Sequence, residues 1–158
     1  MAQEKMSFEQ FVEVVEARDK AFVQDLHNYM HENGCKSTFE EKKTGLLASY
    51  KYKQKSVINV LVKKHGLLVR IYGENHGGYA DFLQGLTDEM VKSIAGSGDC
   101  KRLVSNTCSP KCMGYDFTVR GEHYQKCRYS CFEFLITDES RDLVRGFVER
   151  ELGSRTAA

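Results

Sequence analysis

The chain has 158 residues, the length of a single domain with one core, and its 41% hydrophobic and 28% charged residues are ordinary for a globular protein. A formal net charge of +1 gives no general reason to expect nucleic-acid binding, and no apolar run approaches the roughly 18 residues of a membrane span. The start lacks the apolar core of a signal peptide. We therefore expect a cytoplasmic protein with one domain over residues 1–153 and a disordered tail over residues 154–158.

The first element is helical. Apolar residues recur at three-and-four spacing between residues 7 and 33, and Ser7 with Gln10 forms a predicted capping box. Asn33-Gly34 is a predicted helix end. The pattern is compatible with one long helix or with two helices that meet near residues 17–19.

Strands follow. "GLLASYKYK" alternates in part, "SVINVLVKK" is β-branched, and "LLVRIYG" comes after His65-Gly66, a candidate for a two-residue turn. The three segments predict an antiparallel meander. Lysines that alternate with apolar residues between 50 and 55 indicate a sheet with one solvated face.

Helices return after the meander. "YADFLQGL" and "TDEMVKSIAG" predict two short helices, the second capped by Thr87, and "YDFTVRGEHYQKC" predicts a hairpin that turns near residues 120–122. A last helix follows, with Gly153 as its expected end and this apolar stripe: Leu143, Val144, Phe147, Val148, Leu152. The fold class is α+β, an antiparallel sheet with helices packed on one face and a cysteine-rich loop and hairpin near the C-terminal half.

Four of the six cysteines lie in "CSPKCMGYDFTVRGEHYQKCRYSC", with the spacing C-x3-C-x14-C-x3-C. Zinc takes four tetrahedral donors, which closely spaced cysteine pairs often supply. Cys108 and Cys112 flank a proline turn, so both thiolates can face one point. Cys127 and Cys131 would lie about 13 Å apart if their segment is a strand, too far to share one zinc ion unless a bulge intervenes. The preferred structural zinc site is therefore Cys100, Cys108, Cys112 and Cys127, with Cys131 in reserve.

Other interpretations of the cysteines stay open. Free cysteine is among the most buried residue types, so these side chains can also be core residues, and lysines beside them could instead activate a thiol in a redox protein. His27 and His31 have the i,i+4 spacing of a metal pair but no third ligand accompanies them in sequence, so we expect helix-surface histidines. His123 and Cys127 are too far apart along a strand to act as a catalytic pair. No catalytic constellation is visible, which favours a protein that is not an enzyme, and the sequence does not decide whether any reaction is catalysed.

One segment is strongly basic. From Lys42 to Arg70 there are eight lysines and arginines and no aspartate or glutamate, and Lys101, Arg102, Lys111, Lys126 and Arg128 add positive charge elsewhere. A positive sheet face with interleaved tyrosines is typical of nucleic-acid binding, although a solvated sheet face is the interpretation that we favour.

The motif Cys-x-Pro-Lys-Cys at 108–112, with Tyr-Gln-Lys-Cys-Arg-Tyr at 124–129, resembles a group of small uncharacterised bacterial proteins of Firmicutes type, over about residues 22 to 152. The group is similar in layout to α+β proteins of the YdhG and YjbR kind. The resemblance implies no activity, and it implies that the position of Cys131 is often taken by another small residue.

Together these observations predict a ligand-binding or regulatory module with a structural zinc site. The alternatives are a nucleic-acid-binding protein that uses the Lys42–Arg70 face and a thiol-based redox protein. The sequence names no partner, and a homodimer remains open.

Overall fold

The structure is a computed structural model that describes residues 6–64, 66–73, 80–98, 115–126 and 131–156. Its helices are α1 (Phe8–Val14), α2 (Ala17–Glu32), α3 (Ala80–Gln84), α4 (Asp88–Gly96) and α5 (Arg141–Thr156). Its strands are β1 (Lys36–Lys42), β2 (Gly45–Tyr52), β3 (Lys55–Lys63), β4 (Gly66–Ile71), β5 (Tyr115–Val119), β6 (Glu122–Lys126) and β7 (Glu133–Leu135).

The N-terminal helical region consists of two helices, the second of the two arrangements that the sequence allowed. Ser7 and Gln10 form the predicted capping box of α1, and each side chain bonds the other residue's backbone N–H. Val15 has extended backbone angles and ends α1. Asn33 ends α2 as predicted, and Gly34 follows it with φ +89°, a conformation that favours glycine.

The main sheet has five antiparallel strands in the order β1-β2-β3-β4-β7. One face carries the core row Phe39, Ala48, Val60, Val69, Phe134, all buried, and the helices pack against this face. The opposite face, here called the open face, carries partly exposed polar and leucine side chains at the alternate positions. The predicted α+β class, with helices on one face of an antiparallel sheet, is confirmed.

Strands β5 and β6 form a separate two-stranded sheet, which turns at Arg120 and Gly121 as predicted. The tip of this hairpin docks on the junction of α3 and α4. The Arg120 guanidinium donates to the Asp88 carboxylate and to the Leu86 carbonyl oxygen, and the Gln84 amide donates to the Thr118 carbonyl oxygen. The open end of the hairpin lies by the sheet, where the Tyr115 hydroxyl accepts from the Gly73 N–H at 2.6 Å and donates to the Gly73 carbonyl oxygen at 3.0 Å.

Two predicted boundaries are wrong. Gly153 does not end the last helix, because α5 continues to Thr156, so the part of the expected tail at residues 154–156 is helical and Arg155 is buried. Gly66 is also not a turn residue. It is the first residue of β4 and pairs with Lys63. Residues 157 and 158 lie outside the described residues.

A buried charge pair lies in the last turns of α5. Glu151 is fully buried, and its carboxylate accepts from the Arg155 Nε at 2.9 Å. A terminal nitrogen of Arg155 also donates to the Tyr72 carbonyl oxygen at 2.5 Å, just beyond the end of β4. The pair therefore connects the C-terminal end of α5 to the sheet.

We predict that Arg155→Met lowers the free energy of unfolding by about 3–5 kcal/mol, because it leaves the Glu151 carboxylate buried without its cation. Glu149→Gln is the matched control, since it removes the partly exposed i,i+4 pair of Arg145 and Glu149 on the same helix. We expect this control to cost no more than about 0.5 kcal/mol. Urea unfolding of both variants measures the difference, and equal losses would contradict the importance of the buried pair.

Candidate functional site

The preferred zinc ligands Cys100, Cys108, Cys112 and Cys127 lie outside the described residues. The reserve ligand Cys131 is described, and it is fully buried beside Phe132 at the entry to β7. Among the residues that the structure describes, no group of three or more histidine, cysteine, aspartate or glutamate side chains is arranged to hold a metal ion. The zinc site stays a prediction.

Cys35, a cysteine that the sequence did not single out, is buried in the core between α2 and β1. Burial raises the pKa of its thiol to about 11, and the nearby Arg155 opposes this effect only in part. Because the thiolate is the reactive and metal-binding form, Cys35 is a core side chain at neutral pH. It supports neither the zinc interpretation nor the redox one.

Two stretches outside the described residues, 99–114 and 127–130, contain the four preferred ligands, and both adjoin residues at the open end of the β5–β6 hairpin. Tyr115 pairs with Lys126 across the two strands, and the Lys126 ammonium, which is buried, donates to the carbonyl oxygens of Ala95 and Ser97 at 3.1 Å each. Ser97 directly follows α4, and Lys126 is the last residue of β6. The lysine therefore connects the C-terminal end of α4 to the end of β6. The cation also lies at the C-terminal end of a helix, where the helix dipole favours it.

His123 is described although Cys127 is not. Its Nε2 bonds the Asp116 carboxylate at 2.5 Å across the exposed hairpin face, and the Gln125 amide donates to the same carboxylate. The hydrogen bonds from His123 and Gln125 hold the pKa of Asp116 below its usual value. His123 thus has a carboxylate partner that the strand arithmetic could not identify.

The histidines of α2 are not simple surface residues. His31 is exposed and bonds the Ser37 hydroxyl at 2.8 Å, but His27 is half-buried. The Nδ1 of His27 bonds the Tyr50 hydroxyl at 2.9 Å, and its ring stacks on Phe8 of α1 with 3.7 Å between ring centroids. The i,i+4 spacing identified the pair, but the contact with Tyr50 spans 23 positions and has no local signal. His27 therefore links α1, α2 and β2.

The basic segment does not form one continuous face. Lys42, Lys43, Lys63 and Lys64 lie at the end of the sheet that holds the β1–β2 and β3–β4 turns, whereas Lys51, Lys53 and Lys55 lie at the opposite end. Arg70 lies on the open face, where it pairs with Glu133 of β7 at 2.7 Å. A predicted interface that runs from Lys42 to Arg70 would therefore combine two separate groups of lysines.

Two small clefts flank β7. One, of about 160 Å³, lies between α4 and β7 and includes Glu89, Ser93 and Glu139 in its lining. The other, of about 190 Å³, is lined by Arg18, Asp138 and Arg141 together with the chain after β7. Ligand pockets commonly span about 300–1,000 Å³, so neither cleft has the size of a typical pocket for an organic ligand.

We predict that acid destabilises the protein through His27. Burial, and then the neighbouring His31, lower the pKa of His27, while Glu9 on α1 opposes them. The unfolded chain therefore binds a proton at His27 more readily than the folded chain does. This destabilising effect is absent at high pH, and stability falls as the pH drops below about 6.5, the ordinary pKa of histidine. Urea unfolding at about pH 7.5 and about pH 5 should show a smaller acid loss for His27→Gln than for the wild type.

His31→Gln is the graded control for this measurement. It removes the repulsion between the two rings but leaves the burial of His27, which is the larger cause of the lowered pKa. We expect its acid loss to lie between those of the wild type and His27→Gln. An unchanged acid loss in His27→Gln would contradict the assignment.

No helix within the described ranges is both long and apolar enough to cross a membrane. No protein-family model, no curated protein and no solved structure matches this chain. The resemblance to the bacterial group, and to proteins of the YdhG and YjbR kind, therefore stays a prediction, and function has to be argued from the residues of this chain.

Proposed function

We propose that this protein is a binding module whose β5–β6 hairpin end is held by a structural zinc ion, bound by Cys100, Cys108, Cys112 and Cys127. The observation that carries the proposal is the contact of Lys126 with the end of α4, together with its pairing to Tyr115. Lys126, Tyr115 and the end of α4 lie at or next to the points where the chain enters or leaves the undescribed stretches that contain the four cysteines. A site closed by four thiolates would serve folding rather than catalysis.

Covalent reach supports the ligand set. Cys127 directly follows Lys126, Cys112 precedes Tyr115 by three positions, and Cys100 follows Ser97 by three positions. Three residues of chain span at most about 10–11 Å. Lys126, Tyr115 and Ser97 are close neighbours, so the chain lengths allow Cys127, Cys112 and Cys100 to meet at one ion. Cys108 precedes Cys112 by four positions. Burial of Cys131 in the core favours its exclusion from the set.

The open face of the sheet is the part of the module that we assign to binding. Its central row is Thr38, Ser49, Asn59, Arg70 and Glu133, and the next row contains the partly exposed Leu47 and Leu68 beside Leu61 and the exposed Leu135. Hydrogen-bonding groups beside a leucine row suit a partner with both polar and apolar atoms. The described helices pack against the other face.

We predict about one zinc ion per chain when the protein is purified without added metal and its metal is measured by mass spectrometry, as four thiolates require. Cys112→Ala should lose the zinc and lower the melting temperature, because metal binding contributes to folding. Cys35→Ala is the matched control, since Cys35 is a buried core residue outside the proposed ligand set, and it should retain the metal.

Two comparisons sharpen this experiment. Loss of zinc in Cys100→Ala but not in Cys131→Ala supports the preferred set. The reverse result would mean that Cys131, not Cys100, is the fourth ligand. A zinc content near zero in the wild type, with all thiols reduced, would contradict the zinc site. Fast alkylation of a single thiol at neutral pH would then favour the redox alternative.

A further inference from the structure

Four exposed lysines converge at the end of the sheet that carries the β2–β3 turn. Lys36 begins β1, Lys51 lies near the end of β2, Lys53 is in the turn and Lys55 begins β3. We call these four residues the lysine end. In the strand register Lys36 lies directly opposite Lys51, and both side chains belong to the open face.

The local structure of the lysine end is unfavourable in two respects. Like charges directly opposite each other on neighbouring strands destabilise a sheet. The turn itself requires positive φ at both central positions, 49° at Lys53 and 70° at Gln54, which costs a residue with a side chain about 1 kcal/mol or more. Asparagine and glycine are the residues that suit such a turn. The turn thus contains a lysine at a position where asparagine or glycine would give a more stable fold.

Three of the four lysines of the lysine end are also not compensated by ion pairs within the described residues. Lys36, Lys51 and Lys53 form no ion pair with a carboxylate in the described part of the chain, whereas Lys42 at the opposite end pairs with Glu40 at 2.9 Å. The Lys53 ammonium lies 5.3 Å from the centroid of the Tyr52 ring. The other neighbours on the open face are polar, with Thr38 and Ser49 in the next row.

We propose that the lysine end binds the phosphate backbone of double-stranded nucleic acid without sequence preference. A duplex carries about one negative charge per 1.7 Å of its axis, so several lysines can meet phosphates without a shaped pocket. Lysine acts on phosphate as a compact point charge and reads no base by itself. The interaction is independent of the zinc ligands, because none of the four lysines lies in a segment that holds a proposed zinc ligand.

The chemistry of the lysine end favours nucleic acid over an acidic protein. Protein interfaces depend on buried aromatic or arginine anchors at their centre. The only aromatic side chain in the turn, Tyr52, is half-buried and packs within 3.4 Å of the position that a Cβ on Gly34 would occupy, while Lys53 lies over its ring. It is therefore not free to fill a partner's pocket. The absence of such an anchor matters little for binding a phosphate backbone.

The test is the salt dependence of binding to a short DNA duplex, measured by fluorescence anisotropy on the full chain. Each lysine that contacts a phosphate contributes about 0.9 to the slope of log affinity against log salt concentration. We expect Lys51→Gln with Lys53→Gln to reduce that slope by about 2. The matched control is Lys43→Gln with Lys64→Gln, the same charge change on exposed lysines at the opposite end, which should leave the slope unchanged.

The outcomes separate the proposal from its alternatives. Equal loss of slope in both double variants would overturn it, because the effect would then follow total charge. No binding of the wild type at low salt would also overturn it. Equal affinity for polyglutamate would replace nucleic acid with an acidic protein partner. Melting curves of both double variants, whose mutated side chains are all exposed, verify that the fold is unchanged.

Discussion

The buried pair of Arg155 and Glu151 is the interaction on which the relative positions of the elements depend. Removing two charges from water costs several kcal/mol per ion, and only good geometry with further hydrogen bonds offsets this cost. Here the Arg155 guanidinium provides one such bond to the Tyr72 carbonyl oxygen. The next residue, Gly73, has both of its backbone polar groups bonded by the Tyr115 hydroxyl. Two consecutive residues after β4 thus connect the sheet, α5 and the hairpin.

This arrangement explains how a two-stranded hairpin keeps a fixed place. An isolated hairpin is marginally stable in water, so β5 and β6 need contacts outside their own ladder. The tip is held by Arg120 on the α3–α4 junction, and the open end is held by Tyr115 on Gly73 and by Lys126 on α4. Between these ends Phe117 packs near Phe132, which also contacts Phe147 of α5. A zinc ion at the open end would reinforce a junction that already contains two side-chain contacts.

The sequence predicted the fold wherever local periodicity determined the structure, and it failed where a distant contact did. The stripe of α5 correctly identified Val144, Phe147, Val148 and Leu152 as buried. Glu151 and Arg155 have the same spacing on the same face, but charged residues are rarely buried unless paired, and no local pattern announces the pair. The same contact explains the error at Gly153, because the bond from Arg155 to Tyr72 favours continuing the helix beyond a residue that usually ends one.

The candidate site was less predictable than the fold. Spacing, a proline turn and strand geometry grouped the cysteines, and the four preferred ligands lie in segments outside the described residues. Strand geometry placed Cys131 in reserve, and the structure shows this residue fully buried just before β7. The burial of Cys131 is a tertiary property, which the spacing of the cysteines does not encode.

Positive charges in this chain have different roles, which composition alone cannot separate. Lys126 satisfies carbonyl groups at the end of α4, Arg70 pairs with Glu133 across two strands, and Lys42 pairs with Glu40. The charges of these three residues are therefore engaged within the chain, although the sequence had counted all three toward a possible nucleic-acid surface. By contrast, the directly opposed Lys36 and Lys51 and the positive φ of Lys53 lower stability, and these three lysines form no ion pair within the described ranges. A cost without an internal benefit is the expected mark of a residue that serves a partner, and this contrast distinguishes the lysine end from the other basic residues of the segment.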